Sequence, residues 1–305
     1  LNELYNCLGK SKQSVHQYLA RKVNIEILVY QIRIIVQQVR KDHPMMGVRD
    51  IYYKMRPKEI GRDRFEDICK IEGLLVQRAR NYRRTTNSLG VTRFENLTID
   101  LKLSRINQLW QSDITYFEIK GRFYYITFII DSYSRKIVGH STAKNLSTES
   151  TTLPALLFAI KDRKITSEDE LILHSDGGGQ YYDKELLRIT KALEIQNSMC
   201  EYAWENGKAE RINGVIKNNY LKHRSINTYE ELVKEVDRSV YLYNSDKPHI
   251  ELKRKTPVEF ENDYLCNRRK TEGDKSATDK TLVKRVNGWP SGSKKKNLRI
   301  NIAQD

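Results

Sequence analysis

The chain has 305 residues, enough for one large core or two ordinary domains, and its 39% hydrophobic and 30% charged residues describe a soluble globular protein. It holds no apolar run of about 18 residues, so no transmembrane helix is expected, and its N-terminus lacks the basic-then-apolar layout of a secretory signal; it starts with Leu rather than Met, as expected if the start lies upstream or a different start codon is used. The formal charge of +15 divides unevenly, +10 over residues 1–105, −2 over 106–264 and +7 over 265–305, as expected if basic flanks grip a polyanion while a near-neutral centre works through carboxylates.

The first elements read as helices. NELYNCLGKSKQSVHQYLARK spaces Leu4, Cys7 and Leu8, then Val15 and Leu19, around the break GKSKQ, the pattern of a helix-turn-helix or of any small helical bundle. Its second helix would present Lys12, Gln13, His16 and Gln17 to bases or phosphates. NIEILVYQIRIIVQQVRKDHP predicts a separate longer helix ending before Pro44, and VRDIYYKMR and GRDRFEDICKIEGL predict two short ones. Arg78, Arg80, Arg83 and Arg84 then form a basic run suited to a phosphate backbone. Residues 1–84 are thus expected to be a helical DNA-binding region and 85–105 a linker.

From 106 to 262 the pattern changes. SDITYFEI, RFYYITFIID and KIVGHSTA read as three strands, with tight turns at Lys120–Gly121 and Ser134–Arg135. A helix over STESTTLPALLFAIKDRK, capped at Ser147 or Thr148, is followed by strand LILHS, helix DKELLRITKALE, strand IQNSMC and helices ENGKAERINGVIKNNYL and ELVKEVDRSVYLYN. Three antiparallel strands followed by alternating helix and parallel strand predict an α/β layered fold, a mixed sheet covered by helices. Residues 263–305 are basic, poor in apolar side chains and expected to be flexible.

The chemistry points to acids. Asp113 sits on the strand expected at the centre of the sheet, where an uncompensated charge is costly, and Asp131 and Asp176 each end an apolar strand. Magnesium ions shared between carboxylates are the usual compensation. Glu210 lies on a helix with Asn213 or Gly214 and Lys217 on the same face, so one face carries an acid and a lysine able to hold a phosphate chain. Glu205 is the alternative third ligand; Asp131 is favoured as a turn cap over a fourth ligand. Serine chemistry at Ser175 lacks a nucleophile elbow, the three glycines after Asp176 are not followed by the Lys of a phosphate loop, and zinc lacks clustered His and Cys. The four cysteines, Cys7, Cys69, Cys200 and Cys266, form no CxxC pair, which fits a reducing, cytoplasmic setting.

Taken in order, WQSDITYF, FIIDSYSRKIVGH, LILHSDGGGQY, ENGKAERINGVIKNNYL and KTPVEFE resemble the integrase catalytic core of bacterial insertion-sequence transposases, of the group that joins a helix-turn-helix frame to an integrase-like frame. The resemblance covers roughly 105–262 and is weaker around HPMMGVRDIYYKM. It implies a ribonuclease-H-like core with a mixed five-stranded sheet, an Asp–Asp–Glu triad at Asp113, Asp176 and Glu210, and two Mg²⁺ ions for which Mn²⁺ can substitute. It further implies cleavage at element ends, strand transfer into target DNA, and at least a dimer on double-stranded DNA in a nucleoid-associated setting. His174, Ser175, Gly177, Gly178 and Asn206 become supporting neighbours and Lys217 a DNA contact. One departure is local: the family's SMSRKGNCYDN is here the shorter SMCEYAWEN. A related nuclease without strand transfer and an inactive DNA-binding relative are the alternatives.

Overall fold

Ser11 opens the first long helix of the computed structural model, which describes residues 5, 7, 9–77 and 94–268. The Ser11 side-chain oxygen accepts from the Ser14 N–H at 3.1 Å, and helix α1 runs over Lys12–Asp42. The two helices expected on either side of Lys22 are therefore one, because no glycine or proline interrupts the hydrogen-bond ladder. Tyr5 and Cys7 are helical and Gly9 turns with φ +58°, so the expected turn precedes a much longer helix. Helices α2 (Val48–Met55) and α3 (Arg62–Ile71) pack on the second half of α1 around Ile32, Val36, Ile51 and Phe65.

The arginine run at Arg78, Arg80, Arg83 and Arg84 and the tail beyond 268 lie outside the described residues. Strands β1 (Leu109–Ile119), β2 (Arg122–Asp131) and β3 (Ile137–Ala143) form an antiparallel meander. Lys120 and Gly121 turn the first hairpin with φ +49° and +80°, two left-handed residues whose twist matches the flanking strands. Strands β4 (Ile172–Ser175) and β5 (Gln196–Met199) add parallel partners, giving the order β3-β2-β1-β4-β5 with β1 at the centre. β1 starts three residues before the expected Ser112, and Asp113 lies in its interior.

Helices α4 (Thr152–Arg163) and α5 (Lys184–Ala192) cover one face, and α6 (Gly207–Asn219) and α7 (Tyr229–Ser245) cover the other; α8 follows over 257–268. The pleat sorts the cores. Ile126, Phe128 and Ile130 of β2 pack with Ile212 and Ile216 of α6, while Ile129 turns the other way toward Ala155, Leu156 and Leu186. Gly139 lets α4 approach closely, since a Cβ there would stand 2.3 Å from the Ala155 carbonyl oxygen. Ser147 and Thr148 do not cap α4; their carbonyls accept from the Thr151 N–H at 3.0 and 3.3 Å in a turn before the helix.

The mixed five-stranded sheet with helices on both faces, behind a small helical region, is the expected architecture. The helical region also packs onto the α6–α7 layer. Buried His43 joins the Tyr220 hydroxyl at 2.9 Å and Asp246 at 2.8 Å, and Lys54 pairs with the same carboxylate. Among the described residues, no helix is long and apolar enough to cross a membrane.

Candidate active site

Two acids come from the central parallel strand pair. Asp113, the fifth residue of β1, points to the α6 face, where its carboxylate accepts from the Ile114 N–H at 2.9 Å and the Asn213 amide at 2.7 Å. Asp176 follows β4, which pairs with β1 through Ser112↔Ser175, so the parallel register delivers both acids at the same end of the sheet. Asp176 reaches solvent at the rim and accepts the Gly178 N–H at 3.1 Å. A Cβ on Gly178 would stand 3.0 Å from both the Asp176 carboxylate and the Gln180 side-chain oxygen, so the glycine makes room for this turn itself. Gly177 is exposed beside it.

The third acid comes from the helix. Buried Asn206 donates to the Ser112 carbonyl at 2.8 Å and pins the start of α6 beside Asp113. Glu210 then emerges exposed in the first turn, and Asn213, one turn on, is the donor to Asp113. Glu205 is engaged elsewhere: its carboxylate accepts from the Glu201 and Tyr202 N–H groups at 2.7 and 3.1 Å, closing its own loop. Lys217, two turns after Glu210, is half-buried with its ammonium 4.1 Å from the centre of the Tyr116 ring. Tyr116 stands three residues after Asp113 on β1 and was not singled out by the sequence pattern.

The electrostatics set these acids apart. Burial, then the negative charge of Asp176 and of Glu210, push the Asp113 carboxyl up to about 7. Partial desolvation raises Asp176, and partial desolvation followed by repulsion from Asp176 raises Glu210, although both residues keep contact with solvent. The oxygens of all three acids are hard donors of the kind that Mg²⁺ and Mn²⁺ prefer, so the three residues fit a divalent cation chemically. As placed they form an open arrangement, since among the described residues no three acidic, His or Cys side chains converge closely enough to enclose a metal ion.

The neighbours are structural. His174 is buried against Ser198, its Nδ1 3.0 Å from the hydroxyl, and burial pushes its imidazole down to about 4, which keeps it neutral. The Ser175 carbonyl accepts the Cys200 N–H at 3.0 Å, and Ser112 meets the buried Tyr181 hydroxyl at 2.8 Å. Asp131 is fully buried and accepts from the Asn107, Tyr133 and Ser134 N–H groups at 2.6, 2.9 and 2.8 Å, the geometry of a turn cap. Lys12, Gln13 and His16 lie exposed on the first turns of α1, in a region distinct in sequence from these acids.

Asp113 on the central strand, Asp176 after the adjoining strand and Glu210 on the helix across them thus stand at the same end of the mixed sheet. Residues 104–203 and 191–257 each match a family model of the integrase core domain. The chain therefore carries an integrase core domain, and it is similar to proteins of bacterial insertion sequences. It is 27% identical to an IS600 insertion-element 31 kDa protein of Shigella sonnei across 82% of this chain and 92% of that one. It is 27% identical to the putative IS150 transposase InsK of Escherichia coli, across 61% and 65%, and 32% identical to the putative IS986/IS6110 transposase of Mycobacterium tuberculosis, across 48% and 57%. For those last two relatives the match spans less than two thirds of their length. Among solved structures, the catalytic core domain of the HTLV-2 integrase in complex with magnesium aligns with 22% identity and a TM-score of 0.41, over 50% of this chain and 94% of that one.

Proposed function

We propose that the protein is a transposase that cleaves DNA strands at the ends of its own element and joins them to target DNA. Asp113, Asp176 and Glu210 are the residues that would hold two Mg²⁺ ions. Bound there, the metals would supply Lewis-acid activation of a water or 3′-hydroxyl and neutralise charge on the leaving oxygen of the phosphodiester. The observation that carries this reading is the placement of three hard-oxygen donors within reach of one another's charge: Asp176 and Glu210 both raise Asp113, and Asp176 raises Glu210. Asn213 and the Ile114 N–H orient Asp113, and Asn206 holds α6 against β1, so the chain fixes the acids before DNA arrives. Lys217 grips the phosphate chain beside them.

Residues 1–84, with Lys12, Gln13 and His16 on α1 and Arg78, Arg80, Arg83 and Arg84 after the helices, recognise the terminal inverted repeats. Residues 85–105 link them to the catalytic core over 106–262, and 263–305 add a basic appendage. Two ends are handled together, which calls for at least a dimer on DNA. The occupation of the Glu205 carboxylate by its own loop supports Glu210 as the third ligand.

The test is cleavage and joining on labelled DNA carrying the ends of the element that encodes the chain, with Mg²⁺. D113A, D176A and E210A each lose activity by about three orders of magnitude, the equivalent of several kcal/mol of charge stabilisation, while DNA binding survives. E205A retains cleavage. Full strand transfer by D176A overturns the assignment, and cleavage without joining by the unmodified protein identifies a plain nuclease.

A further inference from the structure

Five residues, 201–205, cross from one strand acid to the other. On one side, the Cys200 N–H donates to the carbonyl of Ser175, the residue before Asp176. On the other, Asn206 donates to the carbonyl of Ser112, the residue before Asp113. Both ends of the loop are therefore anchored next to the acids of the candidate site. The loop is also closed on itself: Glu205 accepts from Glu201 and Tyr202, and its own N–H donates to the Tyr202 carbonyl at 3.0 Å. It is a preformed turn rather than a slack connection.

This turn presents its aromatics outward. The rings of Tyr202 and Trp204 stack with centroids 4.4 Å apart and planes within 4° of parallel. Trp204 is 67% exposed and Tyr202 43% exposed, although tryptophan belongs to the residue types that bury most area when a core is available. Trp110, the other described tryptophan, is fully buried in the core between the sheet and helix α4.

We propose that Tyr202 and Trp204 form a stacking platform for an unpaired DNA base beside the strand being cut. The proposal rests on the transposase reading for the source of that base. A flat aromatic surface accepts any base through its π-face, and the loop that carries this one is anchored beside both strand acids. An intact duplex hides its base faces, so the platform favours a frayed or single-stranded end over blunt DNA. Its rings are already stacked, so little ordering accompanies binding.

The experiment uses the full chain in EDTA with a labelled single-stranded DNA oligonucleotide and the same sequence as a blunt duplex, read by fluorescence anisotropy. W204A weakens single-strand binding roughly 5- to 100-fold, the value of one base–aromatic stack, and changes duplex binding less than about twofold. W204F retains most of the single-strand affinity. A W289F background leaves Trp204 as the indole open to quenching, since Trp110 is buried, and single-stranded DNA quenches it. Equal single-strand affinity in W204A and the unmodified protein overturns the proposal, as does equal weakening for single strand and duplex. D113N, run in parallel with Mg²⁺, separates the two ideas: persistent cleavage there sinks the assignment of the acids, while W204A alone decides the platform.

Discussion

Two acidic neighbourhoods lie in the same core and have opposite chemistry. Around Asp131, every charge is answered: three backbone N–H groups saturate the aspartate, and Glu261 accepts from Ser134 at 2.6 Å while pairing with Arg163 and Lys136. Around Asp113, the donors are the Ile114 N–H and the Asn213 amide, and the nearby charges are those of Asp176 and Glu210. Burial raises both Asp113 and Asp131, so burial alone does not separate them. What separates them is the second cause. For Asp131 it is hydrogen bonding that favours the charged form; for Asp113 it is repulsion that opposes it. A satisfied buried acid holds a fold together, whereas the acids around Asp113 oppose its charged form.

The largest stability effect belongs to the satisfied side. Glu261 is 5% exposed, and removing its carboxylate leaves Arg163 buried without its partner. Glu261→Ala is expected to cost about 3–5 kcal/mol, measured by urea denaturation. A loss below about 1 kcal/mol would erase the contrast between the two neighbourhoods.

The unsatisfied side answers with the opposite sign. Asp113 in the fold titrates at about 7, above its unfolded value of about 4. Across that window the folded chain holds a proton that the unfolded chain has released, so its stability is greatest at low pH and falls as pH rises through 7. In metal-free buffer D113N escapes this loss and is expected to be more stable than the unmodified chain at pH 8, by on the order of 2 kcal/mol. The difference shrinks toward pH 5 and on adding Mg²⁺. Thermal melts at the two pH values, with and without the metal, check it; a D113N that melts lower at pH 8 contradicts the elevated carboxyl.

Much of this contrast was legible in the sequence. The acids stood out because they interrupt or end apolar strands, and the turn at Lys120–Gly121 announced itself through glycine. Asp131 was readable as a cap because a turn follows it. Helix boundaries were harder. A basic, polar stretch near Lys22 looks like a break in apolar periodicity, yet without glycine or proline the backbone of α1 continues through it. The α4 cap was misplaced among Ser147, Thr148 and Thr151 because several neighbouring hydroxyls satisfy the same local pattern. The loop function of Glu205 was equally hidden, since it depends on where a side chain turns rather than on its spacing.

The smallest expected effect concerns a contact that spacing also hid. Lys217 shares a helix face with Glu210, but its ammonium lies over Tyr116, which approaches from β1. Burial and the neighbouring Lys222 lower the lysine, so the ring's negative face offsets part of the cost of holding the charge there. If Lys217 contacts a phosphate, Lys217→Gln weakens DNA binding and lowers the salt-dependence slope by about 1. Tyr116→Leu keeps the lysine and its charge, so the slope stays while affinity falls a few-fold, the scale of about 0.5–1 kcal/mol for an exposed cation–π contact. Tyr116→Phe retains the π-face and restores binding. A slope that drops in Tyr116→Leu would mean that the ring itself sits among the phosphate contacts, and would move the DNA path from helix α6 onto strand β1.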